Sequence, residues 1–523
     1  MAFKREGVQN ALVTEMKLKQ EEIKSVLNEI ETTLPVNNWK TGDIDIWPLI
    51  RIRLWFDLAY KALDTKTSDS ILHESKLTQI IRVFCAPFQW LYHSLRDYKK
   101  TYFRIPKGDV FVLGDGVSFA KIDEKYYDKF SDSIALLFKD EGIKTVRADT
   151  TNTFYKPRYI SSYFIQPVVD IIIAKAMIIS KFKKNDIKLD KYESLYAIAH
   201  KYGVTSILDK SVIHARAIKI HQVALYFERF LLKKKFRAAM SVCYYADIGF
   251  ALNLACKRIG IPSYDIQHGV QGDNHGAYGS WENVPAKGYS ILPKYFLCWS
   301  ELEQKSIHKW SQGINNHKAL VSGNMFANIW QGGKYDWSIK YAKLFHDKIQ
   351  TLHPKILLTL SWDVCDEKTI HSTLKVIADT QKKYTWLIRL HPSMLSEKSA
   401  IESMLKINYI YIYEMEIASS LPLFTILDNV DVHITHSSST VIEAAYFGVK
   451  SIITSEYGWA LLSEQIENRF IIKAYTSTEI NDSINLIIAS KSKKRIEIYE
   501  KSLLVNIKDI ARTFTTNTIS TFL

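Results

Sequence analysis

Two series of short apolar runs dominate the sequence, and each run is followed by polar residues and then by a segment with helical periodicity. One series lies within residues 109–323 and the other begins at residue 355. Strands that alternate with helices in this way are typical of parallel, doubly wound sheets whose helices cover both faces. The pattern therefore predicts an α/β protein with two successive parallel sheets.

The individual strands are predicted from the apolar runs and from the turn residues that bound them. Strands are predicted at 109–113, 143–147, 238–245, 261–266, 295–299 and 319–323, and then near 355–360, 384–390, 408–413, 431–435 and 450–454. The stretch 154–237 is predicted to be mostly helical. Residues 267–293, here called the long loop, are polar and glycine-rich, and loops of that length are usually functional.

The length of 523 residues exceeds what one ordinary hydrophobic core accommodates. We expect four parts: an N-terminal helical extension at 1–104, a Rossmann-like domain with a helical insertion at 105–325, a second Rossmann-like domain at 326–475, and C-terminal helices at 476–523. Ligands of open α/β sheets bind outside the carboxyl ends of the strands. Polar residues follow the strands of both predicted sheets, which indicates a ligand cleft between two facing domains.

The net charge and the cysteine content indicate which binding partners and which cellular compartment to expect. The 69 basic and 55 acidic residues give a net charge of +14, which favours an anionic partner such as a phosphorylated substrate or an acidic lipid. The five cysteines form no closely spaced pair, so neither a disulfide framework nor a zinc site is predicted. No signal-peptide pattern and no spanning apolar segment is present, so we expect a cytoplasmic location.

The N-terminal extension begins with a charged segment at 11–34 whose Leu and Ile recur at helical spacing, which predicts a peripheral helix, and it continues with basic, aromatic stretches. The stretch 76–104 is the more basic of these, and such a stretch can lie on an anionic bilayer. Peripheral contact at the inner face of a membrane is therefore one expectation, and packing against the domains is the alternative. The lysine clusters are scattered and no nucleic-acid-binding module is recognisable, so no nucleic-acid partner is expected.

The second domain contains the candidate donor-binding residues. Ser437, Ser438 and Ser439, here called the serine turn, separate a predicted strand from a predicted helix. Hydroxyls and free N–H groups at such a point suit a phosphate, and Glu443, one turn later, could reach a ribose. The alternative is that Thr440 and Glu443 form a capping box that only begins the helix.

Arg389 and His391 lie at the end of another predicted strand, and Pro392 then opens a helix. The two side chains are two residues apart, so they point to the same face of the strand. Together with the serine turn they predict a site for an anionic group.

The first domain contains the candidate acid/base residues. Asp115 directly follows a strand within Gly-Asp-Gly, and His268 begins the long loop beside Gln267. A carboxylate and an imidazole at a cleft suit general acid/base work. Gln267 and His275 share the long loop, and Asp247 begins a predicted helix, so all three are possible acceptor contacts. The alternatives are a tight turn at Asp115 and helix capping at Asp247.

Phosphate-binding and nucleophile motifs of the usual kinds are absent: there is no Walker A motif, no G-x-G-x-x-G at a strand–helix turn and no G-x-S-x-G. The only Asp-x-Asp, at residues 43 and 45, precedes the first sheet, so no metal and no cofactor are predicted. A leaving phosphate would then be neutralised by His, Arg and helix N-termini. The division between an anion-binding half and an acid/base half favours transfer from an activated, phosphate-bearing donor.

These motifs resemble those of glycosyltransferases of the GT-B fold, and most closely those of bacterial sialyltransferases and of Kdo, capsule and O-antigen transferases. The resemblance covers residues 105–475 in layout. It implies that Asp115 is the catalytic base, that His391 and the serine turn bind the donor phosphate, and that Glu443 binds the donor ribose. Gln267-His268-Gly269 is similar to a motif of surface-polysaccharide transferases and teichoic-acid glycerophosphotransferases.

The resemblance implies an enzyme that transfers a sugar from an activated, nucleotide-linked donor to a lipid-linked or phosphorylated glycan acceptor in the synthesis of a bacterial capsule or O-antigen lipopolysaccharide. Two alternatives stay open. One is a CDP-polyol phosphotransferase of the teichoic-acid type, which would attack phosphorus instead of carbon. The other is a non-catalytic binding protein on the same fold, because a fold does not fix a function.

Overall fold

The computed structural model describes residues 20–62, 105–116, 118–150, 157–183, 187–205, 208–331, 334–360, 367–463, 466, 470–490, 510, 511, 513 and 514, together with Cys85, Phe88 and Tyr92. The rest of the stretch 76–104, for which membrane contact is predicted, lies outside the described residues. None of the helices in the described part combines the length and hydropathy needed to cross a membrane.

The described chain begins with two helices that belong to the core. Helix α1 (Gln20–Thr33) and helix α2 (Trp47–Ala62) are separated by a short antiparallel ribbon of β1 (Lys40–Thr41) and β2 (Ile44–Asp45). One face of α1 is fully buried, since Ile23 and Ile30 are 0% exposed. The helix predicted within 11–34 is therefore confirmed, but it is not peripheral, because its apolar face packs into the same core as α2.

The first sheet has seven parallel strands in the order β11-β10-β9-β8-β3-β6-β7. They are β3 (Val110–Gly114), β6 (Thr145–Asp149), β7 (Tyr163–Phe164), β8 (Ala238–Val242), β9 (Ser263–Ile266), β10 (Tyr295–Cys298) and β11 (Lys318–Val321). A hairpin of β4 (Phe119–Ile122) and β5 (Lys125–Asp128), which the sequence pattern did not predict, follows β3.

The helices of this half are α3 (Ser131–Asp140), α4 (Gln166–Phe182), α5 (Tyr192–Lys201), α6 (Lys210–Lys234), α7 (Asp247–Ile259) and α8 (Glu301–Ser311). The central strands are buried on both faces, as expected of a sheet covered by helices on both sides. The helical prediction for 154–237 is confirmed by α4, α5 and α6.

The second sheet has five parallel strands in the order β13-β12-β14-β15-β16. They are β12 (Lys355–Thr359), β13 (Thr385–Arg389), β14 (Val432–Thr435), β15 (Ser451–Ile453) and β16 (Ile471–Lys473). The helices are α9 (Met325–Gln331), α10 (Trp337–Lys348), α11 (Glu367–Thr380), α12 (Lys398–Ile407), α13 (Glu416–Ser420), α14 (Leu423–Asp428), α15 (Thr440–Tyr446), α16 (Glu456–Leu462) and α17 (Ser477–Ala489). Two doubly wound Rossmann-like sheets with flanking helices confirm the predicted α/β, GT-B-type fold.

The strand predicted at 408–413 is wrong. An isolated bridge to Leu387 of β13 is made by Glu414, the residue after the segment. Tyr409 has a positive φ of 59°, which breaks an extended conformation. The side-chain oxygen of Gln381 accepts the N–H groups of Tyr411 and Ile412, so these groups are not available for strand pairing with β13.

Candidate active site between the two sheets

The second sheet places the predicted donor residues at its carboxyl edge. Thr359 at the end of β12 is in register with Arg389 of β13 on one side and with Thr435 of β14 on the other. His391 and Ser437 each lie two residues beyond this row. Because β13 and β14 are two strand spacings apart, about 10 Å, the two residues stand on opposite sides of the position that follows β12.

The serine turn connects β14 to α15 and is half-buried. The backbone N–H of Ser438 donates to Oγ1 of Thr435 at 3.2 Å, and the hydroxyls of Ser438 and Thr440 are 3.0 Å apart. The N-cap of α15 is Ser439, and its side chain makes no cap hydrogen bond. Thr440 is already the first residue of the helix, so the predicted capping box does not form and the Glu443 carboxylate is not used by it.

Glu443 is buried and interacts electrostatically with one positive charge from each domain. Burial raises the pKa of the Glu443 carboxyl group, and the charges of Lys129 and Arg389 act against that rise. Burial lowers the pKa of Arg389 to about 10, and Glu443 opposes that shift in turn. Nη1 of Arg389 also donates to the backbone carbonyls of Ala418 and Leu421, at 2.5 and 2.8 Å. Two cations around one carboxylate leave an excess of positive charge at this point, which suits an anionic ligand.

His391 is exposed at the end of β13. Its carbonyl oxygen accepts the N–H of Met394 at 2.8 Å, and a 3₁₀ helix, Pro392–Glu397, follows before α12 begins. The predicted helix after His391 is therefore present, but its first turns are 3₁₀. The residue is thus exposed at the carboxyl edge of the second sheet.

A buried histidine supports the serine turn from below. His433 of β14 is 0% exposed, with Nε2 at 2.8 Å from Oγ1 of Thr359 and Nδ1 at 2.7 Å from Oγ of Ser451. Burial lowers the pKa of His433 to about 3, so the ring is neutral at physiological pH. The neutral ring links three neighbouring strands directly beneath the serine turn.

Helix α16 is packed against the start of the serine turn at a glycine. A Cβ placed on Gly458 would lie 2.0 Å from the carbonyl oxygen of His436, so only glycine fits there. The hydroxyl of Ser455, the N-cap of α16, donates to the same carbonyl oxygen at 2.7 Å and accepts the N–H of Gly458 at 2.9 Å. This contact fixes where the backbone leaves β14.

The first sheet brings its candidate residues together at the ends of three neighbouring strands, β3, β8 and β9. Asp115 follows β3, and its carboxylate accepts the N–H of Ser118 at 3.2 Å and the Ser118 hydroxyl at 2.5 Å. Cys243 follows β8 and has a positive φ of 64°, an uncommon conformation that often marks a functional turn. The negative charge of Asp115 contributes to raising the pKa of the Cys243 thiol to about 12, after burial and Asp265.

His268 follows β9 and contacts the same turn. Its Nε2 lies 3.3 Å from the hydroxyl of Tyr245. Burial lowers the pKa of His268 to about 4, so the imidazole is neutral at physiological pH and has a lone pair that can accept a proton. Asp115 and His268, which are far apart in sequence, are thus brought to one edge through Cys243 and Tyr245.

The two halves of the site meet where the long loop faces the serine turn. A Cβ placed on Gly269 would lie 3.9 Å from Oγ of Ser439, an ordinary van der Waals distance. Further along the loop, Nδ2 of Asn274 donates to the carbonyl oxygen of Ala460 in α16 at 2.7 Å. The residue that follows His268 therefore lies directly against the candidate donor-binding turn.

The three remaining predicted contacts are engaged by the protein itself. Gln267 accepts the N–H of Trp299 at 2.5 Å and donates to the carbonyl oxygen of Gly269 at 2.8 Å, so it shapes the start of the long loop. His275 accepts the N–H of Ala277 at 3.2 Å within an aromatic cluster, and burial lowers its pKa to about 3. These contacts support structural roles, and acceptor contact by either residue stays a prediction.

Asp247 lies in the first turn of α7 and forms ion pairs with Arg216, at 2.7 Å, and with Lys219. The two cations lower the pKa of Asp247, against the effect of burial. Acceptor contact by Asp247 also stays a prediction.

The N-terminal extension supports the long loop from behind. Arg51 of α2 is 0% exposed, forms an ion pair with Glu31 at 2.7 Å, and donates to the carbonyl oxygens of Gly279 and Ser280 at 3.1 and 2.7 Å. The guanidinium carbon also lies 4.1 Å from the ring centre of Trp281. The buried guanidinium of Arg51 thus contacts one residue of α1 and three consecutive residues of the long loop, 279–281.

Sequence reasoning missed Lys129, Tyr245 and Arg51 as parts of this arrangement. Tyr245 stands at the end of the predicted strand 238–245, but it was not assigned a role at the site. Lys129 follows the unpredicted hairpin, and Arg51 was visible only as a basic residue in a tryptophan-rich segment. Among the described residues, no group of three or more His, Cys, Asp or Glu side chains is arranged to hold a metal ion.

Comparison with known proteins identifies similar folds but no family. No family model matches the chain, and no curated protein sequence matches it. The structure is similar to the UDP-GlcNAc 2-epimerase of Methanocaldococcus jannaschii, with 10% identity, a TM-score of 0.48 and coverage of 77% of this chain and 99% of that one.

Similar solved structures also include the UDP-GlcNAc 2-epimerase of Neisseria meningitidis, with 13% identity, a TM-score of 0.43 and coverage of 78% and 99%. Another is the glycotransferase of kitacinnamycin, with 10% identity, a TM-score of 0.46 and coverage of 78% and 99%. At these identities the likeness describes the fold and assigns no reaction to this chain.

Proposed function

We propose that this protein is a metal-independent glycosyltransferase that uses a nucleotide-linked sugar donor and a lipid-linked or phosphorylated glycan acceptor in the synthesis of a bacterial capsule or O-antigen. The observation that carries the proposal is the approach of Gly269 to Ser439, which puts the candidate acid/base loop against the candidate phosphate-binding turn. A transferase needs these two functions within reach of one bond.

The second domain binds the donor in this proposal. The hydroxyls of the serine turn and the exposed ring of His391 contact the phosphates, Arg389 adds positive charge, and Glu443 accepts a hydrogen bond from the ribose. As the bond between the anomeric carbon and the phosphate oxygen breaks, negative charge grows on the leaving phosphate. Hydrogen-bond donors of the protein that already point toward that oxygen stabilise the transition state without reorganisation.

The first domain activates the acceptor. Its hydroxyl oxygen attacks the anomeric carbon, and its proton passes to Asp115 or to the neutral imidazole of His268. The Asp115 carboxylate is oriented by Ser118, and His268 is placed by Gln267 and Tyr245. Either group would act at the edge that faces the donor.

The first experiment is a donor-hydrolysis and transfer assay over a panel of nucleotide-linked donors that includes UDP-GlcNAc, UDP-glucose, CMP-sialic acid, CMP-Kdo and CDP-glycerol. Turnover that is lost in His391→Ala and also in Asp115→Asn or in His268→Asn, with unchanged melting temperatures, supports the proposal. The matched control is His346→Ala, since His346 is exposed on α10, far along the chain from either motif.

The other outcomes of the same panel overturn the proposal in distinguishable ways. Release of CMP from CDP-glycerol with transfer of the polyol phosphate indicates the phosphotransferase. Conversion of UDP-GlcNAc without transfer indicates an isomerase. Saturable nucleotide binding with no turnover of any donor indicates a binding protein.

A lipid-linked acceptor implies contact with the cytoplasmic face of a membrane, and we include peripheral membrane contact in the proposal. Removing residues 1–104 is not a clean test, because Arg51 and the rest of α2 belong to the core that holds the long loop. Charge reversal of Arg82, Arg96, Lys99 and Lys100 tests the stretch 76–104 and leaves α1 and α2 intact. Unchanged sedimentation with membranes would exclude that stretch as the contact.

A further inference from the structure

A surface groove of about 620 Å³ lies between α4 and the second half of α6. Five of its ten described lining residues are apolar or aromatic, and they come from both helices: Val168, Ile172, Leu225, Tyr226 and Phe230. Both helices belong to the first domain and lie outside the residues assigned above to donor or acceptor. The groove therefore needs an explanation of its own.

The remaining groove residues are mostly cationic. Lys175 on α4 and Arg229, Lys233 and Lys234 on α6 line it, and no carboxylate is among its described lining residues. Burial lowers the pKa of the Lys234 ammonium, and the neighbouring charges of Lys233 and Lys107 lower it further. Crowded positive charges of this kind are stabilised by a bound anion.

The exposed face of α4 beside the groove is apolar. Ile171, Ile178 and Phe182 recur at helical spacing and are 41%, 62% and 84% exposed, and Lys175 lies on the same face. A single exposed apolar side chain is ordinary, but several on one helix face next to clustered cations are typical of a helix that lies at a membrane surface.

We propose that α4 and the second half of α6 dock this protein on an anionic phospholipid bilayer. The headgroup phosphates occupy the cationic groove, and the apolar side chains of α4 enter the interface between headgroups and acyl chains. The proposal extends the membrane contact of the proposed function by naming its surface, and it does not depend on the reaction. Nucleic acid would match the cations but not the exposed Ile178 and Phe182.

The test is co-sedimentation of the full chain with vesicles of phosphatidylglycerol and phosphatidylcholine, compared with vesicles of phosphatidylcholine alone. The wild type binds the anionic vesicles, and added salt weakens the binding because the headgroup attraction is screened. The variant Lys175→Glu/Arg229→Glu/Lys233→Glu binds about tenfold or more weakly. Lys234 is left in place because its ammonium also donates to the carbonyl oxygen of Ile105.

The matched control is Lys343→Glu/Lys348→Glu/Lys382→Glu, which changes the net charge by the same amount at exposed positions of the second half. It keeps near-wild-type vesicle binding if the groove is the contact. The variant Ile178→Ser/Phe182→Ser separately removes the apolar part, and it lowers the binding that persists at high salt.

Three results would overturn the proposal. The wild type could fail to bind anionic vesicles, or the groove variant and the matched control could lose vesicle binding equally. The third result is a groove variant that loses oligonucleotide binding but keeps vesicle binding. Hydrolysis of soluble donor is measured in parallel. A groove variant that hydrolyses donor normally but no longer binds vesicles supports the proposed docking surface. If the wild type hydrolyses no donor but binds vesicles through the groove, the proposed reaction is wrong and the docking surface is still supported.

Discussion

The indole of Trp55 stacks on the imidazole of His275, with ring centres 4.5 Å apart and planes 29° from parallel. The indole N–H of Trp55 also donates to the carbonyl oxygen of Asn274 at 3.0 Å. Asn274 in turn contacts Ala460 of the second half. A helix near the start of the chain therefore holds the part of the long loop that touches both sheets.

Replacing Arg51 by Met should destabilise the protein by about 3–5 kcal/mol, because Glu31 would remain buried without its cation. Equilibrium unfolding in urea measures this change. Arg237→Met is the control, since its ion pair with Asp109 is more than a third exposed and such pairs contribute at most about 1 kcal/mol. Similar losses in the two variants would contradict the role assigned to Arg51.

Gly276→Ala tests whether the contact between α2 and the long loop places His268. A Cβ at Gly276 would lie 2.2 Å from Cγ of Trp55, so the loop or the indole must move. Overpacking of this kind costs about 1–3 kcal/mol. We expect kcat for donor transfer to fall more than donor affinity, since the loop carries the acid/base residue and not the phosphate ligands.

The control for this variant is Gly313→Ala, where the added methyl group meets nothing within 4 Å and the cost comes only from a φ of +76°. A loss of kcat in Gly313→Ala as large as in Gly276→Ala would show that general destabilisation, and not displacement of the long loop, is responsible.

Acid should destabilise the neutral His433 network. The pKa of His433 is about 3 in the folded protein and about 6.5 in an unfolded chain, so the unfolded state binds a proton first as the pH falls. The contribution of neutral His433 to the free energy of unfolding is complete above pH ~6.5. Below that pH it falls by about 1.4 kcal/mol per pH unit. We therefore expect His433→Gln to be less stable than wild type at neutral pH, with a difference that shrinks toward pH 4.5.

Unfolding in urea at a series of pH values measures this difference. Other buried histidines and carboxyl groups also titrate, so the comparison of wild type with His433→Gln isolates one residue. His346→Gln is the control, because His346 is exposed. A difference between wild type and His433→Gln that stays constant with pH would contradict the buried neutral state.

Much of the fold was predictable because the strands of a parallel sheet are apolar on both faces and their ends are polar. Asp115, His268, Arg389 and the serine turn were all found from that pattern, and each lies at a strand end. The pattern could not predict which residues far apart in the sequence contact each other. Arg51 bonds to the long loop more than 220 residues away, and no local periodicity encodes such a pairing.

The capping box at Thr440 shows the same limit on a smaller scale. The spacing of Thr440 and Glu443 fits the motif, but the helix begins one residue too early for Thr440 to be its N-cap. The capping-box alternative is wrong, and Ser438 and Thr435 instead supply hydrogen bonds that shape the turn. Glu443 is therefore left facing Lys129 and Arg389, and the charge balance there depends on three segments of the chain.

Glu443→Gln is the sharpest test of the donor site, because it removes a charge and keeps the shape. Arg389 keeps its hydrogen bonds to the carbonyl oxygens of Ala418 and Leu421 in this variant, so the fold should be retained, which the melting temperature checks. If Glu443 binds the donor ribose, a charge-assisted hydrogen bond is lost, and donor affinity should fall by about tenfold to a hundredfold. Isothermal titration with the donor identified by the panel measures the affinity.

Glu416→Gln is the control, since its pair with Lys398 is exposed and lies away from the serine turn in sequence. Unchanged affinity in Glu443→Gln would assign the carboxylate to balancing Arg389 and Lys129 and would remove it from the donor site.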